Sequence, residues 1–352
     1  MNQRREGGEE PLVTVLTPVY NGERYLAECI ESVLGQGYEN YEYIIVNNCS
    51  TDDTRKIAER YARRDSRIRI HDNRTFRSAV GNHNRAFELI SPESRYTKIV
   101  QADDQIYPEC IGQQVAVAER HPRVGVVGAY MIQGTQVVCD RVPFTAAPSE
   151  GQYPVSVMTG RETCRNLLFA GPGTNLFGAS PTATLMRSEL IRKHAPLYKE
   201  SHIYADIIAY YDVLQECDYG FVHQVLSFAR VHPGQETVFS ARMNAFLTCR
   251  LYLLKHYGRL CLDREEYALL LSEKMTEYYR FLAKNLFYRR NLRKERVFWE
   301  FHREEFRRIG LPFRKARLAG AALWEVLDIL LNPKKAMELL YGSLARRVRS
   351  GK

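Results

Sequence analysis

Two adjacent carboxylates, Asp103 and Asp104, are the residues whose type and position point most directly to chemistry. They follow a β-rich run over residues 96–100, and Pro108 opens the next predicted helix, where its missing N–H costs nothing. Open α/β sheets bind ligands at the carboxyl ends of their strands. Mg²⁺ and Mn²⁺ prefer carboxylate oxygens and take further ligands from substrate phosphates and water. The pair predicts either metal-assisted handling of a diphosphate or only the N-cap and dipole partner of a helix.

Alternating strand and helix signals would position this pair. Continuous apolar runs, of the kind that parallel sheets bury on both faces, are followed by apolar residues at helical spacing. The predicted strands cover residues 11–17, 41–46, 67–71, 96–100 and 124–128, and the predicted helices cover residues 23–34, 54–64, 79–90 and 108–120. This alternation predicts a mostly parallel sheet with helices on both faces. Right-handed crossovers then bring the loops after the strands to one edge of the sheet.

Beyond residue 131 the alternation fades. Gly and Pro are frequent in residues 133–160, which predicts a loop or lid with room for one hairpin. After it we expect a turn at 171–178, a short strand at 183–186, helices from residue 188 and at 202–215, a strand at 220–230, and helices from residue 244 to the end.

The composition is that of an ordinary globular protein, with 352 residues of which 45% are hydrophobic. No run of about 18 apolar residues occurs, so no helix is expected to span a bilayer. Eight cysteines without a C-x-x-C pair, together with the polar residues 1–10, predict free thiols in a reducing cytosol. The expected localisation is therefore cytoplasmic.

The net charge of +9 is concentrated near the C-terminus. Residues 281–352 contain 18 Lys and Arg and seven Asp and Glu, a net charge of +11, which leaves −2 for residues 1–280. Basic tails suit anionic membrane surfaces or nucleic acid, and a solvated helical face with incidental charge is the alternative. Because no base-reading motif accompanies the charge, nucleic acid is not expected as a partner.

One apolar segment of this tail is a candidate for membrane contact. Residues 316–331 are apolar on one side and lie between the basic pairs Arg314–Lys315 and Lys334–Lys335. The segment predicts a helix that either lies in the interface at the inner face of the membrane or packs on its neighbours. The apolar residues of the tail also offer a surface for a homodimer.

Four motifs of the chain resemble those of the family 2 glycosyltransferases. They are Val15–Asn21, Ile44–Thr54, Gly81–Ala86 and Gln101–Pro108, in the order and spacing of that family. Residues 179–187 and 230–232 extend the likeness to about residue 240. The resemblance implies an α/β GT-A fold, with a mostly parallel central sheet, flanking helices and an α-helical C-terminal extension.

The resemblance also implies a division of the chain and a reaction. A GT-A domain over residues 1–240 would combine a nucleotide-binding half, 1–130, with an acceptor and lid half, 131–240. Residues 241–352 would form a basic α-helical region. The implied reaction is an inverting transfer that depends on Mn²⁺ or Mg²⁺, with a nucleotide-diphosphate sugar as donor and a UDP-sugar favoured. The acceptor would be a glycan or a lipid-linked glycan, in the synthesis of a cell-surface or extracellular polysaccharide.

The family's nucleotide-binding roles fall on residues at the ends of two strands. By resemblance, Pro18, Tyr20 and Asn21 would line the nucleotide pocket. Asn47 and Asn48 stand where the family usually has Asp for the nucleobase. An amide can both donate to and accept from a base edge, which leaves the choice of base open.

The family's metal and diphosphate roles fall on acids and a histidine. Asp103 would contact ribose or metal, and Asp104 would ligate the metal beneath the diphosphate. Gln101 stands where many relatives have Asp, which removes one carboxylate. His232 resembles a family position that reaches the metal or the diphosphate. Further candidates for contact with phosphate are Arg230, His83 and Arg85.

Inverting transfer also requires a carboxylate that takes the proton of the acceptor hydroxyl. The family draws this base from an acidic pair at the start of a helix, downstream of a segment like residues 179–187. Asp206 occupies that place here, with Ala205 where the family has a second acid. Asp212 is the alternative base.

Two other functions stay open at this point. A nucleotidyltransferase also uses acids on an α/β sheet, but it normally has a Gly-rich, basic loop after the first strand, and Pro18–Gly22 is neither. A non-catalytic nucleotide-sugar-binding or assembly protein would keep the fold and lose the chemistry, and the departures at Asn47, Gln101 and Ala205 allow it.

Overall fold

The computed structural model describes residues 10–138, 154–169, 180–200, 204–232, 243–287 and 296–332. The chain divides into two units, Met1–Gln235 and Glu236–Lys352. The first unit is α/β and the second is helical in its described residues. The predicted turn at 171–178 and most of the predicted lid lie outside the described residues.

The first unit is built on one mixed sheet, which has ten strands in the described part of the chain. They are ordered β3-β2-β1-β4-β9-β6-β10-β5, with β7 paired to β6 and β8 paired to β10. Their bounds are β1 Val13–Val19, β2 Tyr41–Asn47, β3 Ile68–Asp72, β4 Tyr96–Ile99, β5 Gln105–Ile106, β6 Val124–Gln133, β7 Gln136–Val138, β8 Val155–Met158, β9 Leu185–Arg187 and β10 Asp218–Ala229.

The predicted parallel half of the sheet is confirmed. β3, β2, β1 and β4 are parallel neighbours, and Val13 pairs with both Tyr41 and Tyr96. Every residue of β1 is buried, as expected of a strand covered on both faces. The helices that alternate with these strands are α1 (Leu26–Leu34), α2 (Thr54–Ala62), α3 (Ala79–Phe87) and α4 (Cys110–Arg120).

The other half of the sheet contains features that the sequence did not indicate. β9 runs antiparallel between β4 and β6, whereas β6 and β10 are parallel. β5 pairs with Ser227 and Phe228 of β10. This pairing brings the end of β10 beside the loop that carries Asp103 and Asp104.

Three helices complete the first unit. They are α5 (Gly160–Phe169), α6 (Ser188–Lys193) and α7 (Ala205–Val213). The sequence reading did not predict α5. Its start is a capping box, in which Thr159 Oγ1 accepts from Glu162 N–H at 3.2 Å and Glu162 Oε2 accepts from Thr159 N–H at 2.9 Å.

A buried lysine joins the strand before the Asp pair to its surroundings. The Lys98 ammonium, on β4, donates to Gln114 Oε1 at 2.8 Å and to the carbonyl oxygen of Thr182 at 2.7 Å. Thr182 lies in a 3-10 turn, Pro181–Ala183. Because a buried ammonium is tolerated only when it is hydrogen-bonded, these bonds fix the turn against β4 and α4.

The second unit contains α8 (Ala245–Cys261), α9 (Arg264–Phe287), α10 (Arg296–Ile309) and α11 (Lys315–Leu331). α11 packs along α9. Asp263 caps α9, because its Oδ1 accepts from the N–H groups of Glu265 and Glu266 at 2.9 and 2.8 Å. In the described part of the chain, no helix is long and apolar enough to cross a membrane.

Candidate active site

The turns after β1 and β2 are joined by direct hydrogen bonds. Asn21 Oδ1 accepts from Thr51 N–H at 2.8 Å, and Asn21 N–H donates to Ser50 Oγ at 3.0 Å. Asn21 has a positive φ of 49°, a left-handed conformation that Asn tolerates better than most residues. Pro18 is buried within β1. Asn21 therefore shapes the predicted nucleotide pocket, and contact of either residue with a nucleotide stays a prediction.

An exposed aromatic pair lies beside these turns. The rings of Tyr20 and Phe76 meet edge to face, with 4.9 Å between centroids. Tyr20 is 50% exposed and Phe76 is 61% exposed. Such rings offer a stacking surface to a nucleobase. The sequence reading missed Phe76, and its only signal was an aromatic residue in a polar turn.

Asn47 and Asn48 are buried and serve the turns around them. Asn47 donates to Asp72 Oδ1 at 2.8 Å, and its Oδ1 accepts from Ser50 N–H at 3.2 Å. Asn48 Oδ1 accepts from the side-chain amide of Asn73 at 2.9 Å and from the backbone N–H of Arg77 at 3.0 Å. These bonds occupy much of the hydrogen-bonding capacity of both side-chain amides. Contact of Asn47 or Asn48 with a nucleobase therefore stays a prediction.

Asp104 is a buried anchor between three segments. Its Oδ2 accepts from the Ser180 and Thr182 hydroxyls, each at 2.7 Å, and its Oδ1 accepts from Arg230 N–H at 3.3 Å. Asp104 is 3% exposed. Burial and the nearby charge of Asp103 raise the pKa of Asp104 to about 7. The carboxyl therefore joins the end of β4 to the 3-10 turn and to the end of β10.

Asp103 faces the other way, toward a histidine. Its Oδ2 lies 3.0 Å from His232 Nε2, and both side chains are partly exposed. Arg230 lies beside them, with its guanidinium donating to the carbonyl oxygen of Asp103 at 3.3 Å and pairing with Glu28 at 2.6 Å. The same guanidinium stacks on the ring of Tyr25, 4.5 Å from its centroid.

The donors around this contact suit a divalent cation only in part. Among the described residues, no cluster of three or more His, Cys, Asp and Glu side chains is arranged to hold a metal. Mn²⁺ and Mg²⁺ commonly take one or two protein ligands and complete their shell with substrate phosphates and water. Asp103 and His232 therefore fit a cation shared with a diphosphate, and their role as ligands stays a prediction.

Gln101 and His83 form a partly buried pair next to the Asp pair. His83 Nδ1 lies 2.8 Å from the carbonyl oxygen of Ala79, so this nitrogen carries the proton. His83 Nε2 then accepts from the Gln101 amide at 2.9 Å. Burial lowers the pKa of His83, which favours the neutral form of the ring. His83 thus orients Gln101, while Arg85 pairs with Glu88.

Asp206 lies in the first turn of α7. Burial raises the pKa of its carboxyl, against the opposing effect of the backbone N–H groups at the helix start. α7 is tied to the segment after the 3-10 turn, because the hydroxyls of Tyr210 and Thr184 lie 2.6 Å apart. Asp212 instead pairs with Lys199 at 2.7 Å. Within the described residues, no hydrogen bond joins Asp206 to the Asp pair, so its role as base stays a prediction.

Comparison with known proteins identifies relatives of the first unit. Residues 14–194 match the family model described as glycosyl transferase family 2. An uncharacterized glycosyltransferase of Haemophilus influenzae is 25% identical over 242 residues, which cover 69% of this chain and 68% of that protein. A putative teichuronic acid biosynthesis glycosyltransferase, TuaG of Bacillus subtilis, is 38% identical over 96 residues, which cover 27% of this chain and 37% of that protein.

Solved structures match nearly the whole chain. Staphylococcus aureus TarS 1–349 in complex with UDP-GlcNAc has a TM-score of 0.58 and 17% identity, and the match covers 97% of this chain and 92% of that one. Mannosyltransferase PcManGT from Pyrobaculum calidifontis, in complex with GDP-Man and Mn²⁺, has a TM-score of 0.51 and 14% identity, covering 96% and 87%. These likenesses confirm the GT-A fold.

Replacing Asp206 by Asn should stabilise the protein at high pH. Because the pKa of Asp206 is raised in the folded state, ionisation costs stability as the pH rises through the folded-state value. The variant cannot ionise at this position. Its thermal unfolding midpoint should exceed that of the wild type at about pH 8, and this advantage should shrink below about pH 4, near the ordinary pKa of Asp.

The matched control is Asp212→Asn, which removes the same charge but breaks the contact with Lys199. It should show no gain at high pH. An Asp206→Asn protein that is destabilised equally at both pH values would contradict the raised pKa of this carboxyl.

Proposed function

The chain belongs to glycosyl transferase family 2, and from this premise we propose that it transfers a sugar from a nucleotide-diphosphate donor to a glycan or lipid-linked acceptor. It is a glycosyltransferase with a GT-A fold. The observation that carries the finer proposal is the 3.0 Å contact between Asp103 and His232, at the edge of the sheet where the strands end. A diphosphate bound there would meet a carboxylate, an imidazole and the adjacent Arg230 guanidinium.

The nucleotide would lie across the ends of β1, β2 and β4. Tyr20 and Phe76 offer exposed rings for the base. Asn21, Asn47 and Asn48 hold the turns in place, and Pro18 fixes the end of β1. The related structures hold UDP-GlcNAc in one case and GDP-Man in the other, so the fold accepts both bases. A UDP-sugar is the first donor to test.

We assign the metal to Asp103 and His232. A bound Mn²⁺ or Mg²⁺ would neutralise charge that develops on the leaving diphosphate. Asp104 is the third candidate ligand. Among the described residues, its Oδ2 accepts hydrogen bonds from two hydroxyl groups, and its Oδ1 accepts one hydrogen bond, from Arg230 N–H at 3.3 Å. Oδ1 therefore has a lone pair left for a metal ion.

Asp206 is the proposed base for the acceptor hydroxyl. A carboxylate whose pKa is raised by burial is a stronger proton acceptor than an ordinary Asp. Attack from the face opposite the leaving diphosphate would invert the anomeric centre. The Tyr210–Thr184 contact holds α7, and with it Asp206, against the segment that carries Thr182.

The process served is proposed to be the synthesis of a cell-surface or extracellular polysaccharide. The support is the name of TuaG, a putative teichuronic acid biosynthesis glycosyltransferase. In this proposal the protein works in the cytoplasm, at the inner face of the membrane. Residues 1–240 form the transferring domain, and residues 241–352 form an accessory helical region.

Asp206→Asn should retain donor binding and lose transfer. The amide keeps the size of the side chain but cannot take a proton, and loss of a general base typically costs about 10²- to 10⁴-fold in rate. The measurement is release of nucleoside diphosphate from a panel of UDP- and GDP-sugars, with binding followed by calorimetry. Asp212→Asn is the control and should turn over normally. Retained turnover in Asp206→Asn would place the base elsewhere, and a wild type that binds donor without turnover would favour the non-catalytic alternative.

Asp103→Asn should weaken binding of Mn²⁺ in the presence of UDP or GDP. We expect a loss of more than about tenfold, since even outer partners of a metal site are commonly worth that much. Free Mn²⁺ can be measured by electron paramagnetic resonance. Asp53→Asn, which removes an exposed carboxylate paired with Lys56, is the control and should leave affinity unchanged. Normal affinity in Asp103→Asn with lost affinity in Asp104→Asn would move the ligand to Asp104.

A further inference from the structure

The helical unit contains a cavity whose lining includes none of the residues assigned to the candidate active site. It has a volume of about 780 Å³ and lies between the end of α8, the first half of α9 and the segment that leads into α11. This volume is within the range of cavities that hold small organic ligands. Much of its lining is apolar, with contributions from Leu262, Leu271, Met275, Leu311 and Pro312.

Four arginines line the same cavity: Arg259, Arg264, Arg314 and Arg317. All four are exposed, and the ion pairs found among the described residues involve none of them. The guanidinium of Arg259 lies over the ring of Tyr267, 5.2 Å from its centroid. The cavity therefore combines an apolar lining with positive charge that is not ion-paired within the described residues.

Among the described residues of this lining, the one carboxylate is that of Asp263, and it accepts hydrogen bonds from the protein itself. Asp263 accepts two backbone N–H groups at the start of α9, so it serves as the helix cap. The position of Arg314, Lys315 and Arg317 at the start of α11 is also not explained by helix stability. Cations are disfavoured at the positive end of a helix, so these residues do not stabilise α11 through its dipole.

A separate exposed apolar stripe lies further along α11. Leu323, Leu327, Leu330 and Leu331 are 63%, 48%, 73% and 82% exposed, and their spacing places them on one face of the helix. Trp324 lies next to this stripe, with the guanidinium of Arg280 4.4 Å from its ring centroid. Contiguous apolar surface of this kind commonly marks an interaction site.

We propose that this cavity and the stripe of α11 form a docking site for the anionic lipids of a bilayer. The arginines would bind the phosphate headgroup, the apolar lining would take hydrocarbon, and α11 would lie in the interface rather than cross it. A free phosphate would not need the apolar lining, and a neutral lipid would not need the arginines. A second copy of the chain would bring like charges together across the contact. The inference does not depend on the sugar-transfer reaction.

Vesicle flotation of the full-length chain tests the proposal. The protein should float with phosphatidylcholine vesicles that contain phosphatidylglycerol and stay behind with phosphatidylcholine alone. Each basic residue near an anionic surface is worth roughly fivefold in binding, so Arg314→Gln/Arg317→Gln should lose on the order of 30-fold. Leu323→Ser/Leu327→Ser should also release the protein, without changing its unfolding midpoint, because both side chains are exposed.

The control is Arg296→Gln/Arg303→Gln on α10, which removes the same charge from exposed positions outside the cavity and also breaks the ion pair of Arg296 with Glu300. It should keep binding within about twofold, since salt screens charges that do not face the surface. An equal loss of vesicle binding in the control would show that binding depends on net charge alone, and it would overturn the proposed docking site. Failure of the wild type to float, or release of the bound protein by inorganic phosphate alone, would also overturn it. A solution dimer that Leu323→Ser/Leu327→Ser dissociates, without vesicle binding, would assign the stripe to a second copy.

Discussion

A single buried carboxylate holds the candidate site together. Asp104 receives hydrogen bonds from the hydroxyls of Ser180 and Thr182 and from the backbone of Arg230. These donors come from two segments that are distant from Asp104 in sequence, the 3-10 turn with Ser180 before it and the end of β10. Burying a carboxyl group is unfavourable unless it is hydrogen-bonded. Moving one of these segments would break a hydrogen bond of Asp104 and would therefore destabilise the fold. The position of Asp103, next in the chain and facing outward, follows from the position of its neighbour.

The same constraint extends behind the Asp pair. Lys98 is buried on β4 and donates to the 3-10 turn that contains Thr182, and Gln114 of α4 donates to the carbonyl oxygen of Ala183 in that turn. Gln101, beside the Asp pair, bonds to His83. Hydrogen bonds thus hold the polar groups beneath the strand ends in place. Asp103, His232 and Arg230 face the side where a diphosphate would bind. A rigid support that presents few metal ligands suits a cation that the protein shares with the substrate.

The sequence was most informative where its patterns were long and regular. Buried strands such as β1 and the helices between them followed from apolar runs and helical spacing, and the motifs at the strand ends predicted the family and the GT-A fold, both of which are confirmed. β5 was missed because two residues carry no periodicity, yet its pairing with β10 is what brings His232 to Asp103. α5 was missed although Thr159 and Glu162 have the spacing of a capping box. The motifs also did not indicate that the side chains of Asn47 and Asn48 are buried. Their burial depends on hydrogen bonds to Asp72 and Asn73, which lie elsewhere in the sequence.

The central claim is that the strand-end site binds a nucleotide-diphosphate sugar together with a divalent cation. The most direct measurement is a thermal-shift and calorimetric screen of the folded protein against UDP-, GDP-, dTDP- and CMP-sugars, with Mn²⁺ and with chelator. We expect stabilisation by a nucleotide-diphosphate sugar in the presence of metal and its loss with chelator, because ligands that bind only the folded state raise its stability. Absence of binding to every donor, with or without metal, would contradict the claim and leave the chain with the fold of its family but without this site.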